Sequence, residues 1–244
     1  MFKREIKTRV SDSDLEHHLS HDPHKRASNL SDIILGGQDG LVNVLGVILG
    51  VAAATGDVRI VVAAGMAATF AESVSMAAVA YTSKRADQSY YEAEKERELR
   101  HIEEIPELER EEIREIYKRK GFSGDLLEQI INTITKRPDV WVAVMLAEEH
   151  NLKPLTKAEA IRSSFIVGAA ALIGSFIPLI PFIFLRMVPA VTTSLIVSAL
   201  TLFVVGAYKA RTMVGSPTKS GLEMTLIGMA SAIVGYGVGL IFKV

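Results

Sequence analysis

Apolar positions along the chain gather into five long runs, with one long polar block between the second and the third. The runs cover about 33–54, 58–81, 163–185, 188–208 and 222–242. Each is close to the roughly 20 residues that a helix needs to cross a bilayer core. The pattern predicts an all-α membrane protein with five transmembrane helices. Packing five such runs into one small soluble domain is the competing reading, and it fails on the core volume such a domain offers.

The polar block, 84–157, keeps a helical period. "DQSYYEAEKERELRHIEEI" extends the second span into water, and Pro106 breaks it. "ELEREEIREIYKRKG" carries an apolar stripe of Ile113, Ile116 and Tyr117 and stops at Gly121. "SGDLLEQIINTITKR" predicts a further amphipathic helix. "PDVWVAVMLAEEHNL" opens with Pro138 at a first helical position and runs to about His150, and Pro154 closes the module. The expected organisation is a tail over 1–29, two spans over 30–83, a helical module over 84–157 and three spans over 158–244.

Charge orients this plan. Lys3, Arg4, Lys7, Arg9, Lys25 and Arg26 precede the first span, and Lys209, Arg211 and Lys219 lie between the fourth and fifth. The other side carries Arg59, Arg186 and Lys243. The excess of Lys and Arg places the N-terminus, the inserted module and the last loop in the cytoplasm, and the C-terminus outside. The polar N-terminus has no signal-peptide core, so the first run is expected to stay in the mature protein. Apolar residues make up 49% of the chain and the net charge is −1, which gives no electrostatic case for nucleic acid. The absence of Cys removes disulfides, thiolate metal sites and Cys nucleophiles. No phosphate-cradling Gly loop, nucleophile elbow or HExxH occurs, so the expectation is a protein that is not an enzyme and uses no organic cofactor.

Against this background the polar residues inside the spans stand out. Asp39 and Asn43 lie one helical turn apart in the first span, and Glu72 and Met76 one turn apart in the second. An ionisable group within a span costs about 2.5–3.5 kcal/mol on insertion scales and usually faces a polar cavity or a partner. Oxygen ligands beside a thioether favour a borderline transition metal. The alternatives are that Asp39 reaches the lipid headgroups and that Met76 only packs. In the module, Glu98 and His101 have the Glu-x-x-His spacing that puts a carboxylate and an imidazole on one face. Glu109 and Glu112 repeat the spacing, and Met145 and Glu149 are one turn apart. Glu residues interleaved with Lys and Arg also describe an ordinary solvated helix. The tail adds His17 and His21 at helical spacing, a possible metal-capture pair. Gly36/Gly40, Gly46/Gly50 and Gly235/Gly239 permit close helix packing, either within one chain or between two.

The stretches "GGQDGLVNVLGVILGVAAATGD", "AESVSMAAVAYTSKRADQSYYEAEKERELR", "PELEREEIREIYKRKG" and "GLEMTLIGMASAIVGYGVG" resemble the vacuolar iron transporter family, and the resemblance runs nearly the whole length from about Leu30. These are membrane proteins that move cytosolic Fe²⁺ or Mn²⁺ into vacuoles or out of cells. The resemblance implies a two-fold homodimer of five-span protomers with the path at its interface. It implies that Asp39 and Met76 meet the metal in the pore and that Glu72 is another acid of that motif. It also implies that the cytoplasmic module binds metal through Glu98, His101, Glu109, Glu112, Met145 and Glu149. His101 departs from the family pattern, which has Glu there; a shifted register would put Glu103 or Glu104 in its place.

The expected function is secondary active export of Fe²⁺ or Mn²⁺ from the cytosol in exchange for protons, across a prokaryotic plasma membrane. A membrane-anchored metal sensor or store is the alternative. A carboxylate-metal oxidase would rest on Glu-x-x-His alone.

Overall fold

The computed structural model describes residues 23–212 and 215–243, with side chains from residue 29 onward. His17 and His21 lie outside the described residues. All regular structure among the described residues is helical: α1 (Pro23–Thr55), α2 (Val58–Glu104), α3 (Pro106–Arg119), α4 (Gly124–Thr135), α5 (Pro138–Glu148), α6 (Lys157–Phe184), α7 (Met187–Thr212) and α8 (Pro217–Ile241). Of these, α1, α2, α6, α7 and α8 are long and apolar enough to cross a membrane. The helices outrun the apolar runs that announce them. α1 starts ten residues before the apolar stretch, because hydropathy marks the bilayer whereas backbone hydrogen bonding continues through "HKRASNLSD". α2 is one unbroken helix of 47 residues, as the helical period through the polar half predicts.

The chain divides into two compact units, residues 1–78 with 163–244, and residues 79–162. In the first unit, Val44, Leu45, Ile48 and Leu49 of α1 are buried with Val61 of α2, Leu179 and Phe182 of α6, Ala190 of α7 and Ala232 of α8. The glycine pairs are used within the chain. A methyl group at Gly239 would overlap the carbonyl of Gly50, and one at Gly235 the carbonyl of Gly46, so α1 and α8 touch backbone to backbone. Gly36 and Gly40 meet the Val167 and Ala171 carbonyls of α6 in the same way. Pro178 and Pro181 lie inside α6, where each removes a backbone donor. The Ser194 hydroxyl of α7 donates to the Pro178 carbonyl at 2.7 Å. That bond ties α7 to α6 at the proline-containing turn. Between α1 and α2, Gly56 takes a left-handed φ of 66°, and the Asp57 carboxylate accepts the Arg59 N–H at 2.8 Å to cap α2.

The second unit builds a separate core. Ile113 of α3, Leu127, Ile131 and Ile134 of α4, and Trp141 and Met145 of α5 are buried together. α3 starts with Pro106 at its first turn and acids Glu107 and Glu109 beside it, and ends with Lys118 and Arg119. That distribution complements the helix dipole. Thr156 and Glu159 close a capping box at the start of α6, with Glu159 Oε2 accepting the Thr156 N–H at 2.8 Å and Thr156 Oγ1 accepting the Glu159 N–H at 3.2 Å.

Candidate metal sites

The first two spans are joined by a polar bridge. Asn43 Nδ2 donates to Asp39 Oδ2 at 3.2 Å along α1 and to Glu72 Oε1 at 3.1 Å across to α2. The α-helical turn from Asp39 to Asn43 puts both on one face, and that face meets Glu72. Asp39 and Glu72 are half-buried and Asn43 is exposed. Two carboxylates therefore share a single neutral amide. Met76, half-buried, follows Glu72 by one turn on α2. Oxygens from two helices converge where a divalent cation could replace the amide protons as their common partner.

The module holds a denser cluster. Glu109 occupies the buried face of α3 in register with Ile113 and Ile116, so its helix carries a carboxylate into an apolar stripe. Glu109 is 2% exposed and Glu98 of α2 is 3% exposed. His101 Nδ1 lies 3.2 Å from Glu109 Oε1, and His150 Nε2 lies 2.8 Å from Glu98 Oε1. The second oxygen of each acid, Glu98 Oε2 and Glu109 Oε2, is buried with no hydrogen-bond partner among the described residues. Buried polar atoms are normally paired, so these two oxygens have capacity left for a cation. Ligand atoms of Glu98, His101 and Glu109 all fall within 4.8 Å of one another, as do those of Glu94, Glu98 and His150.

The electrostatics follow from crowding. Burial, then the charges of Glu112, Glu98 and Glu149, push the Glu109 carboxyl up to about 7. For His150, burial pulls downward, but the hydrogen bond to Glu98 and the charges of Glu149, Glu98 and Glu94 prevail and hold it above its ordinary value. The metal-free cluster is thus short of positive charge. Imidazole and carboxylate donors together suit Fe²⁺, Mn²⁺, Co²⁺ or Zn²⁺ better than the all-oxygen preference of Mg²⁺ or Ca²⁺.

Of the module residues singled out from sequence, Glu98, His101 and Glu109 come together directly. Glu112 is half-buried and acts on Glu109 through its charge. Glu149 is the C-terminal cap residue of α5 and lies within reach of the cluster, since burial and the charges of Glu112 and Glu98 raise its carboxyl. Met145 is fully buried among Trp141 and Ile113 in the core. Sequence reading missed Glu94 and His150. Glu94 precedes Glu98 by one turn, a spacing that was visible. His150 lies just past α5, where Asn151 takes a left-handed φ of 53° and the Leu152 N–H returns to the Leu146 carbonyl at 2.8 Å. Asn tolerates this backbone better than most residues, and no helical period announces it.

Five long apolar helices, an acid pair bridged between two of them and a separate cluster of buried acids with two half-buried imidazoles define a multi-span membrane protein with polar groups of metal-ligand type. The VIT family model matches residues 30–240, and the chain belongs to that family. It is 30% identical over 221 residues to vacuolar iron transporter 1 of Arabidopsis thaliana, covering 89% of this chain and 88% of the relative. Vacuolar iron transporter 1 of Eucalyptus grandis is likewise 30% identical, over 88% of this chain and 89% of its own length. Protein CCC1 of Saccharomyces cerevisiae is 26% identical, over 83% and 66% respectively.

Proposed function

We propose that this protein is a secondary active transporter that carries Fe²⁺ or Mn²⁺ out of the cytosol in exchange for protons. The observation that carries the reading is the Asn43 bridge between Asp39 and Glu72. Family membership and the iron-transporter names of its relatives supply the class of cargo. Anchoring helices have no use for an acid on each of two neighbouring spans, so a tethered sensor or store leaves this bridge unexplained.

Exchange follows from competition for the same oxygens. With both carboxylates ionised, a divalent cation neutralises the pair and takes the place of the Asn43 N–H groups. Protonation of either acid removes half of that attraction and releases the cation. Met76 adds a soft donor one turn away. The buried acids and imidazoles of the module concentrate the ion on the cytosolic side, where the Lys and Arg distribution puts the module. Two protomers meeting on a two-fold axis, in a prokaryotic plasma membrane, complete the arrangement.

Reconstituted liposomes test this. Mn²⁺ or Fe²⁺ accumulation should require a proton gradient of opposite direction, and Asp39→Asn with Glu72→Gln should abolish it. Metal flux that persists in the double variant removes the bridge from the pathway. Binding without flux in the unaltered protein favours the store.

A further inference from the structure

We propose that Glu94, Glu98 and His150 form a second metal locus in the module, so that the Glu98 carboxylate bridges a pair of divalent transition-metal ions. This rests on the reading that the module binds metal. It goes beyond the ligand set implied by the family resemblance, in which neither Glu94 nor His150 appears.

Glu98 belongs to both three-residue groups, one with His101 and Glu109 and the other with Glu94 and His150. One of its oxygens meets His150 Nε2 at 2.8 Å, while the other is buried without a hydrogen-bond partner among the described residues. A carboxylate has about four lone-pair sites, so one hydrogen bond leaves most of its capacity unused. Each locus then offers the same chemistry: two carboxylates and one imidazole. Glu94 is 4% exposed, so it is poised inside the cluster rather than out in water. Its oxygens are held meanwhile by Arg97 Nη1 at 2.8 and 2.9 Å. The Arg97 side chain is 53% exposed and can swing into solvent. Arg97 thus holds the oxygens that a cation would take, and a bound metal displaces it. The two nitrogen donors, one per ion, favour borderline transition metals over Mg²⁺ and Ca²⁺.

The test counts Mn²⁺ bound to the full-length protein in detergent, by equilibrium dialysis and electron paramagnetic resonance. Ions bound elsewhere are common to all variants and cancel. His150→Ala and Glu94→Gln should each bind one Mn²⁺ fewer per protomer than the unaltered protein. The spin-coupled signal of a neighbouring pair should give way to the six-line signal of isolated ions. Arg97→Gln should keep the ion and bind it roughly two- to fivefold tighter, the worth of one competing ion pair. Trp141 emission, unchanged, certifies an intact core in each variant. If His150→Ala fails that check, Glu94→Gln and Arg97→Gln carry the test. Unchanged Mn²⁺ count and affinity in the variants that pass overturns the second locus. Glu109→Gln separates the two readings: its loss of an ion keeps the module as a metal binder even when the second locus is rejected, and no loss in any of these variants rejects both.

Discussion

Glu109→Gln should stabilise the metal-free module at alkaline pH and leave it unchanged at acid pH. The Glu109 carboxyl sits at about 7 in the folded protein against an ordinary 4.5. A carboxyl raised in this way binds its proton more tightly when folded. Its contribution therefore favours folding below about pH 4.5 and is lost progressively as pH rises through 7. At roughly 1.36 kcal/mol per pH unit, the gap amounts to about 3 kcal/mol. That figure is a ceiling, because water and neighbouring side chains relax around the ionised form. Gln keeps the shape and removes the titration. His150 is also raised, and its stabilisation likewise fades as pH rises. It is present in both proteins, so the difference between them isolates Glu109. The chain has a single tryptophan, Trp141, buried in the module core, so urea unfolding of the full-length protein read by its fluorescence follows this unit alone. The two proteins should unfold at the same urea concentration at about pH 3.5, and the Gln variant should be the more resistant at about pH 8. Mn²⁺ at about 1,000 times its Kd should reverse the order, since it adds about 4.1 kcal/mol where it binds. A Gln variant no more stable than the parent at pH 8 without metal would refute the claim that Glu109 is held ionised at a cost.

Other perturbations probe separate parts of the molecule. Gly239→Leu should lower the thermal midpoint in detergent, because the side chain would enter the Gly50 backbone; overpacking costs about 1–3 kcal/mol, and an unchanged midpoint would mean that α1 and α8 are not in contact there. Ile131→Ala, at a fully buried position of the module core, should cost about 2–5 kcal/mol in the Trp141-detected transition. The same change should leave the unfolding of the spans, followed by circular dichroism, where it was. Asn43→Leu should slow Mn²⁺ flux in liposomes at least tenfold by leaving Asp39 and Glu72 without their shared amide; undiminished flux would make that amide incidental.

How much of this was legible beforehand depends on whether the information is local. The five spans and the three short helices follow from hydropathy, period and proline, and the unbroken α2 follows from a helical pattern that never lapses between Tyr81 and Glu104. Glu109 was legible too: its spacing of four and seven residues from Ile113 and Ile116 places it on the face that those residues bury. Contacts between elements were less accessible. The turn from Asp39 to Asn43 could be read along α1, but the meeting with Glu72 depends on how α1 and α2 are rotated against each other, which no single-helix pattern encodes. The glycine spacing announced a close approach without naming the partner; only the structure assigns Gly46 and Gly50 to Gly235 and Gly239 of the same chain. His150 was the least legible, since its meeting with Glu98 depends on a left-handed residue at Asn151 beyond the end of α5. The ligand pattern on one helix can thus be read from spacing, whereas a ligand delivered by a helix-terminating turn cannot. In this chain that turn is what brings the second imidazole to the buried acids.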